Sequence, residues 1–120
     1  MSKQQAIEEK LKSLKNALPE LREAIVASSD GLPIAQLADG DRSSRIAAMA
    51  ATANGLGQRI ASTTDLGEVT ETVVLGQGAY FIAYAIGDKA VLAITMPAGS
   101  NLGLVRLEAN ERAREIAEAL

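Results

Sequence analysis

Two apolar runs limit what this chain can fold into. Tyr80-Phe-Ile-Ala-Tyr-Ala-Ile86 and Ala90-Val-Leu-Ala-Ile94 carry almost no polar residues, and Gly87-Asp88 supplies a tight turn between them. A strand wet on one face alternates apolar and polar residues, whereas a strand covered on both faces is apolar throughout. The two runs therefore predict a hairpin at the centre of a sheet with a layer packed on each side. With 120 residues, one domain's worth of chain, those layers must come from the remaining segments.

Helical spacing supplies them. Ile7, Leu11, Leu14, Leu18 and Leu21 recur at steps of four and three, which stacks them on one side of a helix. Ser2 with Gln5 forms a capping box at its start, and Pro19 ends it near Leu18. Lys3, Lys10, Lys12 and Lys15 lie mostly off the stripe and are expected to form a solvated face. Near the other end, Ser100 or Asn101 caps a helix whose apolar positions are Leu102, Val105, Ala109, Ala113, Ile116 and Leu120. Glu108 and Arg112 make a favourable pair four residues apart on it.

Between these helices the pattern is extended, helical, then extended again. Glu23 to Ser28 and Ile34 to Ala38 read as strands joined by the turn Ser29-Asp-Gly31, with Pro33 where its missing N–H costs least. Asp39-Gly-Asp41 follows, and Asp41 or Ser43 is expected to cap a long helix from about Ser43 to Thr63. Its large residues, Ile46, Met49, Leu56 and Ile60, with Ala53 keeping the spacing, are expected to face the chain's own core. The rest of its surface (Ala47, Ala48, Ala50, Ala51, Gly55, Gly57 and Ala61) is nearly smooth. Interior glycines cost a helix about 1 kcal/mol each relative to alanine; small residues let another backbone approach closely, so this helix is expected to pack against something on two sides. From Glu68 the period becomes two: Val69, Glu71, Val73 and Leu75 alternate with Thr70, Thr72 and Val74, with Glu68 and Glu71 suited to an edge. Gly76-Gln-Gly78 turns the chain into the first apolar run.

Composition removes whole classes of function. There is no cysteine and no histidine, so disulfides, thiolate zinc sites, thiol catalysis and the Ser-His triad are excluded. The net charge is -3, with no basic stripe to neutralise phosphates, and nucleic acid is not an expected partner. Gly55-Leu-Gly57 and Gly76-Gln-Gly78 do not extend to a dinucleotide fingerprint, and no Gly-Lys-Ser/Thr phosphate loop occurs. Ser28, Ser29 and Asp30 read as a turn, and the pairs Asp39–Asp41 and Glu8–Glu9 as solvated acids. The first ten residues lack the apolar run of a signal peptide, and no apolar stretch is long enough to span a membrane. The chain is expected to be cytoplasmic, without membrane insertion.

Two segments point to a family. Ala27-Ser-Ser-Asp-Gly-Leu-Pro-Ile-Ala35 is similar to the S-x-D-G-L-P-I/L-A hairpin of roadblock (dynein light-chain-like) proteins. Asn101-Leu-Gly-Leu-Val-Arg-Leu107 resembles the N-L-G-L-L/V-R opening of that family's last helix. The chain thus resembles a prokaryotic roadblock protein from about Leu14 to Leu120. The resemblance implies an α+β, roadblock/profilin-like single domain over residues 1–120, in the order α-β-β-α-β-β-β-α. Its five-stranded antiparallel sheet would carry the middle helix on one face and the terminal helices on the other.

It also implies a homodimer made by pairing the middle helices and joining sheet edges. The residues expected at that contact are Ala47, Ala50, Ala51, Asn54 and Gln58 on the helix, with Glu71 and Val73 on the edge strand. The implied function is non-catalytic regulation, GTPase-activating in kind, of a small Ras-like GTPase, without a cofactor. The alternative is a structural dimerisation subunit of a signalling or motor assembly, indifferent to nucleotide state; a small-molecule sensor is a third reading that the shortage of aromatics disfavours. Arg42, Arg45 and Arg59 lie on or beside the middle helix as candidate partner contacts. Any of them can serve as an arginine finger, or solubilise the helix and pair with Asp39, Asp41 or Glu71.

Overall fold

The computed structural model describes residues 1–38 and 40–120. The elements are α1 (Lys3–Ala17), β1 (Glu23–Ser28), β2 (Pro33–Leu37), α2 (Gly40–Thr63), β3 (Thr72–Leu75), β4 (Ala79–Ile86), β5 (Ala90–Pro97) and α3 (Leu102–Ala119). All five strands form one antiparallel sheet in the order β2-β1-β5-β4-β3. The apolar hairpin β4–β5 is interior, and β1 joins it there, fully buried from Ala24 to Ala27.

Local chemistry sets most of the boundaries. The Ser2 hydroxyl accepts from the Gln5 amide at 3.1 Å, and the Gln5 side chain accepts from the Ser2 amide at 2.9 Å. α1 stops before Pro19, and Lys15 donates to the Pro19 and Leu21 carbonyls beyond it, both at 2.7 Å. Lys10 is also engaged, 3.2 Å from Glu115 on α3, so two of the four lysines expected to be solvated instead tie α1 down. Asn101 caps α3 by accepting from the Leu104 amide at 3.1 Å, and Arg112 sits 3.3 Å from Glu108. α2 begins earlier than the capping residues foresee. Asp41 and Ser43 lie inside its first turn, where the Ser43 hydroxyl donates to the Gly40 carbonyl; Asp39, invoked in the turn and in an acid pair, lies outside the described residues. β3 is shorter than its pattern, starting at Thr72, so Glu68 to Glu71 precede the strand.

The two faces of the sheet carry different cores. Toward α1 and α3 point Val26, Ile82, Tyr84, Leu92 and Ile94, meeting Ile7, Leu11, Leu14, Val105 and Ile116. Burying a residue of this size contributes roughly 1.5–3 kcal/mol, so this layer holds most of the hydrophobic stabilisation. Burial also pushes the Tyr84 hydroxyl above its ordinary value, and among the described residues that hydroxyl has no hydrogen-bond partner. Toward α2 the sheet presents Ile25, Ala27, Ala83, Val91 and Ala93, and α2 answers with Ile46, Ala47 and Ala50. Alanine meets alanine there.

That contact corrects the expected orientation of α2. Ser43, Ile46, Ala47, Ala50 and Ala61 are buried, while Met49, Leu56 and Ile60 are 60%, 57% and 49% exposed. Only Ile46 of the large stripe faces the core. The reason is steric: over Ala27, Ala83 and Ala93 a helix comes closest with its own small side chains inward. Gly31, in the β1–β2 turn at φ +88°, marks how close the layers are; a Cβ there would stand 3.2 Å from the Ala48 Cα. Gly57 does the same at the far end, where a Cβ would stand 2.8 Å from the Thr72 hydroxyl of β3.

Gly55 differs, since a Cβ there meets nothing within 4 Å. Gly55→Ala is expected to raise stability by up to about 1 kcal/mol, and Gly57→Leu to lower it by about 1–3 kcal/mol, both read from urea unfolding. A second outcome concerns pH. Glu23 of β1 accepts from Arg42 of α2 and from the Thr95 hydroxyl. The Arg42 hydrogen bond, opposed by partial burial and aided by Thr95, holds its carboxyl below the ordinary 4.5. The link therefore stabilises above about pH 4.5 and is lost as pH falls through the depressed value. Arg42→Gln should flatten the acid limb of a stability–pH profile; an unchanged limb would show that the pair contributes nothing.

Candidate partner interface

At about 100° per residue, α2 divides into a buried face and two flanks. Met49, Ala53, Leu56 and Ile60 fall within about 60° of arc and make one apolar stripe on the flank nearer β3. Arg42 and Arg45 continue its line toward the N-terminus, where with Met49 they border a shallow groove. Arg59 is displaced by about a quarter turn. Leu66, 69% exposed, lies with Ile60 along a second groove beside the start of β3. Exposed apolar side chains gathered into one patch mark surfaces that meet other molecules.

The adjoining sheet edge is open. Among the described residues β3 pairs with β4 alone, and its Val74 and Leu75 are 59% and 61% exposed. Such an edge offers unpaired backbone groups to another strand. Glu71, just before it, is held by the Arg106 guanidinium of α3. The open strand is thus tied back to the layer beneath it.

The expected site residues separate into groups. Ala47 and Ala50 are fully buried against the sheet and present nothing to a partner. Ala51, Asn54 and Gln58 lie on the flank away from the apolar stripe, around a cleft of their own. Val73 turns its side chain toward the α1–α3 core, leaving only backbone at the edge. Arg42 pairs with Glu23, and Glu71 is taken by Arg106, so the pairing foreseen between these arginines and Glu71 does not form. Arg45 and Arg59 are exposed. Among the described residues no acidic cluster could hold a metal ion, and no helix is long and apolar enough to cross a membrane.

Reading the sequence missed the exposure of Met49, Leu56 and Ile60. The signal was present: Ser43, Ala47, Ala50, Asn54, Gly57 and Ala61 recur at steps of four and three, a complete helical stripe of small residues. Ala83 and Ala93 likewise mark one face of strands whose other face carries Ile82, Tyr84, Leu92 and Ile94.

The family model for the Roadblock/LC7 domain matches residues 7–96. Among solved structures, a Roadblock/LC7 domain from Streptomyces avermitilis superposes with a TM-score of 0.87 at 20% identity, covering 92% of this chain and 94% of that one. MglB from Myxococcus xanthus gives 0.85 at 16% identity, over 96% and 87%. A profilin from Schizosaccharomyces pombe gives 0.68 at 14%, over 92% and 96%. At these identities the likeness is one of fold, and no curated protein matches the chain. The family match runs from the first helix into the fifth strand, and on that ground the chain belongs to the Roadblock/LC7 domain family.

Proposed function

We propose that this protein is a non-catalytic homodimer that regulates a small Ras-like GTPase, the partner class implied by its resemblance to roadblock proteins. The observation that carries the proposal is the apolar stripe Met49–Leu56–Ile60, exposed beside the open edge of β3. A second copy brought against this stripe covers both at once: helix lies on helix and edge strand meets edge strand. Arg42 and Arg45 then stand at the ends of the paired helices, where they can meet the acidic or phosphate-bearing surface of a GTPase.

Regulation by such a dimer needs no catalytic group of its own. Binding one nucleotide state of the GTPase more tightly shifts its switch loops, by no more than the difference in affinity allows. A tenfold preference corresponds to about 1.4 kcal/mol, within reach of a few contacts. GTPase activation is the direction proposed, by stabilising the hydrolysis-competent arrangement.

Two measurements test this. Solution mass should be that of a dimer, and Leu56→Glu should halve it while leaving the far-ultraviolet circular dichroism unchanged; a wild-type monomer would sink the dimer. Pull-down of a co-encoded small GTPase should be at least about tenfold stronger in one nucleotide state. Equal capture of both states would favour the structural-subunit alternative, and capture of neither would defeat the GTPase proposal.

A further inference from the structure

The strand β4 is longer than the one that borders it. It has 8 residues, Ala79 to Ile86, whereas the 4 of β3 reach only from Leu75, opposite Tyr80, to Thr72, opposite Ala83. Among the described residues, Tyr84, Ala85 and Ile86 have no strand beside them on that side. The neighbouring bonds show which of them offers backbone groups there. On the β5 side the Ala98 amide donates to the Gly78 carbonyl at 3.2 Å, and on the β3 side the Gly76 amide donates to the Ala79 carbonyl at 2.9 Å. These directions alternate along an antiparallel strand, so Ala85 turns its N–H and C=O to the unoccupied side.

Residues that would continue the register are present but stand off. Continuing it sets Glu71 opposite Tyr84, Thr70 opposite Ala85 and Val69 opposite Ile86, and the sequence from Val69 to Leu75 alternates as one strand. Among the described residues no backbone hydrogen bond joins Val69, Thr70 or Glu71 to β4. A cleft of about 500 Å³ lies there instead, lined by Glu68 and Val69, by Ala85 and Gly87, and by Gln58 and Ala61 of α2.

The segment is fixed at both ends. Gly67, at φ +84°, makes the left-handed turn that leads into it, a conformation glycine adopts at no steric cost. Glu71 is held by Arg106. Val73, Tyr84 and Ile86 face the α1–α3 core, so alternation assigns Val69 to that same face, against Ile86.

We propose that Val69 to Glu71 form a strap that closes onto Tyr84–Ile86, so that β3 runs from Val69 to Leu75, and that a second copy engages the edge of this closed form. Closure itself stands on the register alone; its use in pairing rests on the dimer proposed above. Closing joins the backbone of Ala85 to that of Thr70 and sets Val69 against Ile86. In the lone chain these gains must offset the ordering of a segment whose outer edge still faces water. A strand laid along β3 pairs that outer edge too, so it binds the closed form better and shifts the balance toward it.

Nuclear Overhauser contacts between Hα protons test this, because the Cα atoms of such non-hydrogen-bonded pairs lie only about 4.5 Å apart. Val73–Ile82 should give a contact in the wild-type dimer and in the Leu56→Glu monomer alike. Val69–Ile86 and Glu71–Tyr84 should give contacts in the dimer and weaker ones in the monomer, with exchange of the Ala85 amide at least about tenfold slower in the dimer. Absence of both contacts from the dimer would overturn closure, and equal strength in the two forms would overturn its tie to pairing.

A Val69→Cys, Ile86→Cys double variant gives a second readout in a chain that has no cysteine of its own. Oxidation should lock the strap shut, and the locked chain should dimerise at least about threefold more tightly than its reduced form. A folded reduced chain that does not oxidise counts against closure; a locked chain with unchanged dimerisation counts against the tie to pairing. A wild type that stays monomeric overturns that tie together with the dimer, while oxidation of the cysteine pair still decides closure by itself.

Discussion

How closely α2 rests on the sheet is decided by alanine meeting alanine. Ala47 and Ala50 pack on a floor in which Ala27, Ala83 and Ala93 sit among Ile25 and Val91, and the orientation of the exposed surface follows. Small side chains turned inward leave the large ones of the same helix facing out, so Met49, Leu56 and Ile60 are available to a partner. Close approach also forces glycine at the two ends of the contact, Gly31 against Ala48 and Gly57 against Thr72. The opposite layer can accept this thin packing on α2 because the bulky core lies under α1 and α3.

That division explains what could be read from the sequence. Turns, caps and the interior position of the β4–β5 hairpin are local matters, written in Asp30-Gly31, Gly87-Asp88, Ser2 with Gln5 and the unbroken apolar runs. The face that α2 buries is a tertiary matter. Period alone identifies two stripes on this helix, one large and one small, and hydrophobicity favours the large one. What decides for the small stripe is the sheet floor it meets, contributed by residues some 20 to 45 positions away in the chain. The pairs that hold Arg42 and Glu71 are equally remote: Arg42 with Glu23, and Arg106 with Glu71. No local pattern announces either one.

The two flanks of α2 differ in chemistry. One is apolar, with arginines at its end, beside the outer edge of β3; burial of area gives such a surface its strength, with little selectivity for any one side chain. The other borders a small recess in which Ser29, Gln58 and Asp88 alternate with Ala51, Ala90 and Val91.

The pairing of the outer helices has a practical corollary. Lys10 meets Glu115, and Arg112 meets Ser13, so α1 and α3 run antiparallel and bring Met1 and Leu120 to a common corner of the layer opposite α2. A tag, a fluorescent label or a neighbouring domain attached at either end therefore emerges on the far side of the sheet from α2, leaving that helix clear. Anchoring by a terminus would orient that helix outward.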